Sequence, residues 1–224
     1  MPKLYVVATP IGNLEDITLR ALRILKEADL ILCEDTRVTK KLLDHYNIGT
    51  KTLSYHQHSR LTKVDYILSL LKEGKTLALV TDAGTPGISD PGGLLVSKAR
   101  EEFGDIVKVI PGSSALAAAL SVSGRPSQEF TFLGFLPHKK GRETLFKEIA
   151  KSDRLFVFYE STHRLLKTLA SLKEHAPEKK VIIAKELTKI FEEVILGKPE
   201  EALTYFQNNK EKQRGEFVVM VAPW

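Results

Sequence analysis

The chain has 224 residues, 43% of them hydrophobic and 27% charged, a globular profile long enough for one large or two small domains. Its net charge of +5 points weakly to a polyanionic partner, and the excess lies in residues 113–224, which carry 18 basic against 14 acidic side chains. The single cysteine, Cys33, excludes an intramolecular disulfide and any cysteine-only metal site. No apolar run approaches the roughly 20 residues of a membrane span. The N-terminus reads as a strand rather than a signal peptide, so a cytoplasmic protein is expected.

In chain order, strands are predicted at 4–8, 30–33, 52–55, 76–80 and 107–110. Between the first two, Ile17, Ala21, Ile24, Leu25 and Ala28 form one apolar stripe of a helix that Asn13 or Asp16 could cap. A helix starting near Thr36 follows the second strand. Val64, Ile67, Leu68 and Leu71 mark another helix, stopped by Gly74, and a further one begins near Leu94. This alternation predicts a mainly parallel sheet with helices on both faces. The small-residue run from Ser113 reads as a tightly packed helix ended by Ser123-Gly124-Arg125-Pro126. Beyond it, strands at 130–136, 155–159, 181–185, 192–196 and 217–221, the third and fourth paired as a hairpin, predict a second, mixed sheet. The expected organisation is two α/β domains, 1–113 and 114–224.

Three stiff loops follow strands: residues 8–13 (Ala-Thr-Pro-Ile-Gly-Asn), residues 81–93 with four glycines and two prolines, and residues 110–114 (Ile-Pro-Gly-Ser-Ser). Glycine permits positive φ and close backbone approach, whereas proline fixes φ and removes a donor, so such loops are built to hold a shape. In an open α/β sheet the crevice beyond the strand C-termini receives the ligand, and three loops on that rim predict a small-molecule pocket. Glu34, Asp35 and Arg37 directly follow a strand and face the same rim, unless Glu34 and Asp35 serve only the start of the next helix. Gly-x-Gly-x-x-Gly after the first strand and a phosphate-binding Gly-x4-Gly-Lys-Ser/Thr are both absent. Cys33 reads as a buried apolar residue. His56 and His58 lack a third ligand at suitable spacing, and Ser113 and Ser114 lack an obvious His/Asp partner, so no metal site is expected and a hydrolase is poorly supported.

Seven motifs occur in order: residues 6–14 (Val-Val-Ala-Thr-Pro-Ile-Gly-Asn-Leu), Glu34-Asp35-Thr36-Arg37, residues 81–92, Pro111-Gly112-Ser113-Ser114-Ala115, Phe135-Leu136-Pro137, Tyr159-Glu160-Ser161-x-His163-Arg164 and Lys185-Glu186-Leu187-Thr188-Lys189. Together they resemble the family of ribosomal RNA small-subunit methyltransferase I, 16S rRNA 2'-O-ribose methylases of the tetrapyrrole (corrin/porphyrin) methylase superfamily, over essentially the whole chain. The resemblance implies a tetrapyrrole methylase-like fold, with S-adenosyl-L-methionine in a cleft between two α/β domains. It implies cofactor contacts from Pro10, Gly84, Thr85, Pro86, Ile88, Asp90, Ser113 and Ser114, and from Tyr159, Glu160, Gly215 and Glu216. Thr85 stands where porphyrin methylases have Asp in a Gly-Asp-Pro loop, which favours the RNA branch.

Methyl transfer to a ribose hydroxyl needs the hydroxyl aligned and its proton taken up; Glu34, Asp35, Arg37, Lys185 and Glu186 are the polar candidates near strand ends, with a direct catalytic role expected of Asp35, Arg37 or Glu34. Lys139, Lys140, Arg142, Arg164, Lys185 and Lys189 could neutralise phosphates, while Tyr55, His56 and His58 could stack on bases or hydrogen-bond to them. The implied partner is 16S rRNA in the small ribosomal subunit, methylated on a cytidine in the decoding centre, and the implied assembly is a homodimer. Family members commonly continue into a small C-terminal helical region that is absent here. The alternatives are a tetrapyrrole C-methyltransferase and a non-catalytic RNA-binding module on the same fold.

Overall fold

The computed structural model describes residues 2–56, 61–90 and 92–223. The chain divides into two compact units, residues 1–114 and 115–224.

The first unit holds strands β1 (Lys3–Val7), β2 (Leu30–Cys33), β3 (Thr52–Ser54), β4 (Thr76–Leu79) and β5 (Val107–Ile110) in one sheet of order β3-β2-β4-β1-β5. Every pairing in it is parallel. Strands buried on both faces need unbroken apolar runs, and Leu30-Ile31-Leu32-Cys33 and Leu77-Ala78-Leu79 supply them. Alternate residues point to opposite faces. Leu4, Leu32, Leu77, Leu79 and Val107 pack with Val64, Ile67 and Leu71 of α3 (Leu61–Lys72) and Leu95 and Ala99 of α4 (Gly92–Phe103). Val7, Ile31, Cys33, Ala78 and Ile110 pack with Ala21, Ile24 and Leu25 of α1 (Leu19–Glu27) and Leu43 of α2 (Thr36–His45). Cys33 is fully buried, as expected.

Two local expectations need correction. The cap of α1 is Thr18, whose hydroxyl accepts the Ala21 N–H at 3.1 Å. Asn13 caps a separate 3-10 turn, Leu14–Asp16, so neither Asn13 nor Asp16 caps α1. Tyr55, expected as a base-contacting group, is buried against α3 and α4.

The second unit holds β6 (Phe130–Phe135), β7 (Leu155–Ser161), β8 (Lys180–Lys185), β9 (Glu193–Gly197) and β10 (Glu216–Ala222) in the order β6-β7-β10-β8-β9. Only β6–β7 is parallel; β8–β9 is the predicted hairpin. One face carries Phe156, Phe158, Val181, Ile183, Phe217 and Val219. It packs against α6 (Arg142–Lys151), α7 (Leu165–His175) and α8 (Pro199–Asn208) through Phe146, Leu165, Leu169, Leu172 and Phe206. A bulge at Leu133-Gly134, with Gly134 at φ 61°, interrupts β6. Helix α5 (Ala115–Val122) runs close to β10 and buries only Ala119, so the expected tight packing of the small-residue run is not found. No described helix is long and apolar enough to cross a membrane.

Candidate active site

The strand order creates the site of the first unit. Central β4 sends its chain to α4 on one face, while its neighbours β1 and β2 send theirs to α1 and α2 on the other. The connections therefore part on either side of the β4 C-terminus and leave a crevice there. The stiff loops meet at this rim. Thr9 and Gly84 form a two-way backbone bridge, Thr9 N to Gly84 O at 2.9 Å and Gly84 N to Thr9 O at 3.0 Å. The buried Thr9 hydroxyl donates to Thr81 O at 3.1 Å. The Thr85 hydroxyl donates to Ser113 O at 3.0 Å, and the Ser113 hydroxyl donates to Asp16 O at 3.3 Å. Thr85 thus ties the second loop to the third, which gives this position a use for a hydroxyl.

Gly84 at φ 85° and Gly87 at φ 89° need their glycines, and Ser89 adopts φ 63° without one. Asp90 Oδ1 accepts from Gly87 N at 2.7 Å and Gly92 N at 2.8 Å, so this oxygen holds the loop and the start of α4. Its buried Oδ2 has no partner among the described residues. Pro10, Gly84 and Pro86 are buried, Thr85, Ser113 and Ser114 half-buried, and Ile88 exposed. Pro91 and His58 lie outside the described residues.

Beside this rim, Glu34, Asp35, Thr36, Arg37, Ser54, His56 and Asp82 line a cavity of about 590 Å³. The three catalytic candidates are not equivalent. Asp35 caps α2, its carboxylate accepting Arg37 N at 2.8 Å, and the Arg37 guanidinium grips the same carboxylate at 2.6 Å. Those bonds hold the Asp35 carboxyl down at about 2, far too acidic to take a proton from a hydroxyl. Glu34 is pushed above the ordinary carboxylate range, first by burial and then by the charges of Asp82 and Asp90. Asp82 Oδ1 accepts the Asp35 N–H at 3.0 Å, which orients it. Of the trio, only Glu34 keeps a chemically available carboxylate.

The second unit has a rim of its own, where β7 and β8 end and antiparallel β10 begins. Gly215 O accepts from the Thr162 hydroxyl at 2.9 Å, and Gly215 N donates back to it at 3.0 Å. Glu186 Oε1 accepts Glu216 N at 2.8 Å, and Lys189 Nζ lies 3.0 Å from both Glu186 and Glu216 carboxylates. Tyr159 meets the backbone of Leu116 at the start of α5, and burial pushes its hydroxyl pKa up. In the β7–β10 ladder Glu216 lies opposite Ser161, and Tyr159 lies opposite Val218.

Several expected contacts sit elsewhere. Glu160 is 2% exposed, with its oxygens engaged by Ser161 N, the Thr168 hydroxyl and Arg164, so its carboxylate is internal rather than ligand-facing. Arg142, 7% exposed, bonds Pro137 O and Thr168, and Arg164 bonds Leu136 O at 2.6 Å; neither presents its guanidinium to a phosphate. Lys185 is 4% exposed and donates to Phe191 O, and Lys189 is spent on two glutamates. Lys139 and Lys140 are exposed and remain open to an anion. No group of three or more potential metal ligands occurs among the described residues.

The pattern of the tetrapyrrole (corrin/porphyrin) methylases matches residues 3–203. A ribosomal RNA small subunit methyltransferase I of Thermotoga maritima is 48% identical over 222 residues, covering 99% of both chains. The protein of that name from Halalkalibacterium halodurans is 49% identical over 219 residues, covering 97% of this chain and 75% of its own. Among solved structures, a cobalt precorrin-4 methyltransferase superposes with a TM-score of 0.72 at 18% identity, covering 98% of this chain and 94% of that one. A uroporphyrin-III C-methyltransferase of Thermus thermophilus, solved with S-adenosyl homocysteine, gives 0.66 at 20% identity over 98% and 97%. These two share the fold; the relation at nearly half identity is the narrower one. The chain belongs to the tetrapyrrole methylase family and, within it, to the ribosomal RNA small subunit methyltransferase I branch.

Proposed function

We propose that this protein transfers a methyl group from S-adenosyl-L-methionine to the ribose 2'-hydroxyl of a cytidine in 16S rRNA of the small ribosomal subunit. The observation that carries the reading is the hydrogen-bonded rim of the first unit, where the Thr9–Gly84 bridge and the Thr85–Ser113 bond bring the family's motifs together beside Glu34. The near-full-length relatives named for rRNA methylation support the choice of acceptor.

The residues present fit the cofactor. Gly87 has no atom within 4 Å of where a Cβ would stand, which leaves its backbone open. Hydroxyls of Thr85, Ser113 and Ser114 suit an amino-acid end, exposed Ile88 a flat heterocycle, and the Asp82 carboxylate a positive charge. Gly84, Thr85, Pro86, Ile88, Ser113 and Ser114 would hold it, with Pro10 and Asp90 shaping the loops. Tyr159, Gly215 and Glu216 are contacts from the second unit on the strength of the motif resemblance. When bound, the cofactor supplies an electrophilic methyl on its sulfonium. Glu34 takes the proton of the attacking 2'-hydroxyl, Asp82 keeps its basicity high, and Asp35 and Arg37 fix the start of α2 beside it. Lys139 and Lys140 neutralise RNA phosphates.

The protein works as a homodimer in the cytoplasm, where its substrate is assembled. Edge strand β9 and the preceding turn expose Ile190, Phe191, Val194 and Leu196, an unpaired apolar edge of the kind a second copy covers. The test of the activity is to incubate the protein with isotopically labelled cofactor and small subunits from cells lacking the gene, then map nucleosides by mass spectrometry. Label in one 2'-O-methylcytidine is expected. A labelled base, or no label on subunits that another preparation of the enzyme methylates, refutes the assignment.

A further inference from the structure

Three buried polar side chains meet beneath the basic turn that follows β6. Glu160 lies at the end of β7, Thr168 in the second turn of α7 and Arg142 at the start of α6. The Thr168 hydroxyl, fully buried, donates to Glu160 Oε2 and accepts from Arg142 Nη2 at 2.7 Å. Arg164 Nε lies 3.4 Å from Glu160 Oε1. The two guanidiniums then reach the same short stretch of backbone: Arg142 Nη1 to Pro137 O at 3.2 Å, Arg164 Nη2 to Leu136 O at 2.6 Å and to Pro137 O at 3.4 Å. Arg142 N also donates to Lys139 O at 3.2 Å, closing the turn, and Gly141 at φ 83° leads into α6.

Burying the Arg142 guanidinium and the Glu160 carboxylate, and half-burying Arg164, is costly unless the arrangement is fully used, and here even Arg142 Nε lacks a partner among the described residues. A fold that needed only stability would fill this space with apolar side chains. What the network delivers is an orientation: the planar forks hold the last two carbonyls before His138-Lys139-Lys140, so the exposed lysines leave a rigid base.

We infer that Arg142, Thr168, Glu160 and Arg164 form a clamp that presents Lys139 and Lys140 to RNA phosphates, the arginines acting through the turn and not by touching RNA. The inference rests on the reading of this turn as an RNA contact. Arg164 of the Tyr159–Arg164 motif, and Arg142 a few residues beyond the Phe135-Leu136-Pro137 motif, thereby become positioning residues.

Thr168 is the decisive probe, because a fully buried side chain can influence RNA only through the clamp. Thr168→Val in the full chain, which loses both hydrogen bonds of the hydroxyl, should raise the KM for unmethylated small subunits, and the equilibrium Kd for 16S rRNA, by about three- to tenfold. The kcat and the cofactor Kd should stay within about twofold. Thr168→Ser should restore both RNA values. Lys139→Ala/Lys140→Ala should weaken binding further and flatten its salt dependence by a slope of about 1.4 for single-stranded contacts, and adding Thr168→Val to it should change nothing more. If circular dichroism finds Thr168→Val unfolded, Arg164→Lys, which keeps the charge and loses the fork, takes its place with the same expectation. RNA affinity unchanged by Thr168→Val or Arg164→Lys, while the lysine pair matters, overturns the clamp alone. RNA affinity unchanged by removing both lysines overturns the basic turn, and the clamp with it.

Discussion

Gly215 and Gly87 both occupy positive φ, at 119° and 89°, yet alanine should cost far more at one than at the other. At Gly87 an added Cβ meets nothing within 4 Å, so Gly87→Ala pays only the backbone penalty of a left-handed conformation, about 1–2 kcal/mol. At Gly215 the added Cβ would stand 2.6 Å from Glu186 Cγ, 2.7 Å from Cδ and 2.8 Å from Oε1. Glu186 must then move, releasing Glu216 N at 2.8 Å and Lys189 at 3.0 Å. Adding the loss of these charge-assisted bonds brings Gly215→Ala to about 3–5 kcal/mol. In a cooperative unit near the size of residues 115–224, each kcal/mol shifts Tm by about 4 °C, and by about half that if the whole chain melts together. Scanning calorimetry should therefore lower the Tm by about 12–20 °C for Gly215→Ala against about 4–8 °C for Gly87→Ala, or about half of each for a single transition. The ratio between the two variants does not depend on which holds. The double variant Gly215→Ala/Glu186→Ala should remain no less stable than Gly215→Ala, because truncating Glu186 makes room for the methyl. Equal losses at the two glycines, or full additivity with Glu186→Ala, would refute the steric argument and with it the packed rim of the second unit.

Glu34→Gln should lower kcat by about 10²–10⁴-fold with the cofactor Kd preserved. In the wild type, activity needs ionised Glu34 and should fall as pH drops through its raised pKa; Asp82→Asn, which removes a neighbouring negative charge, should move this acid limb to lower pH. An unmoved limb would assign it to another group. Thr85→Val removes the bond to Ser113 O and should weaken cofactor binding by about 2–10-fold in calorimetry. For the dimer, Val194→Lys/Leu196→Lys should yield monomers in sedimentation velocity; a dimer that persists moves the interface away from β9.

Periodicity made the first unit legible. Strands covered on both faces cannot hide polar residues, and helices that cover them need a stripe, so Leu30–Cys33, Leu77–Leu79 and the Ile24/Leu25 and Ile67/Leu71 pairs announced sheet and helices together. The convergence of the glycine–proline loops followed from strand polarity alone. Other features needed tertiary partners. Asn13, Asp16 and Thr18 all suit a helix cap, and only the 3-10 turn decides between them. The stripe Leu165, Leu169, Leu172 of α7 was a usable signal that no expectation drew on. The burial of Arg142 and Lys185 was not readable, because charged residues default to the surface unless a partner three-dimensionally near them says otherwise.

Glu34 and Glu160 make the same point about function. Each is a glutamate at the end of a strand, in a motif of acidic and hydroxyl residues, and local sequence treats them alike. Glu160 is closed in by a backbone N–H, a hydroxyl and a guanidinium, which leave its lone pairs occupied. Glu34 has a hydroxyl at 3.5 Å, two carboxylates acting on it and a cavity before it, so its charge is disfavoured and its oxygens are accessible. A carboxylate can organise a fold or accept a proton, and satisfied bonding favours the first role at the expense of the second. The division of labour follows from partners alone. Supplying Glu34 with a donor, for instance by Ser54→Lys at the neighbouring strand end that lines the same cavity, should lower its pKa and its competence as a base together. The acid limb of kcat would then move to lower pH while the maximal rate falls, a pairing that a merely obstructive side chain would not produce.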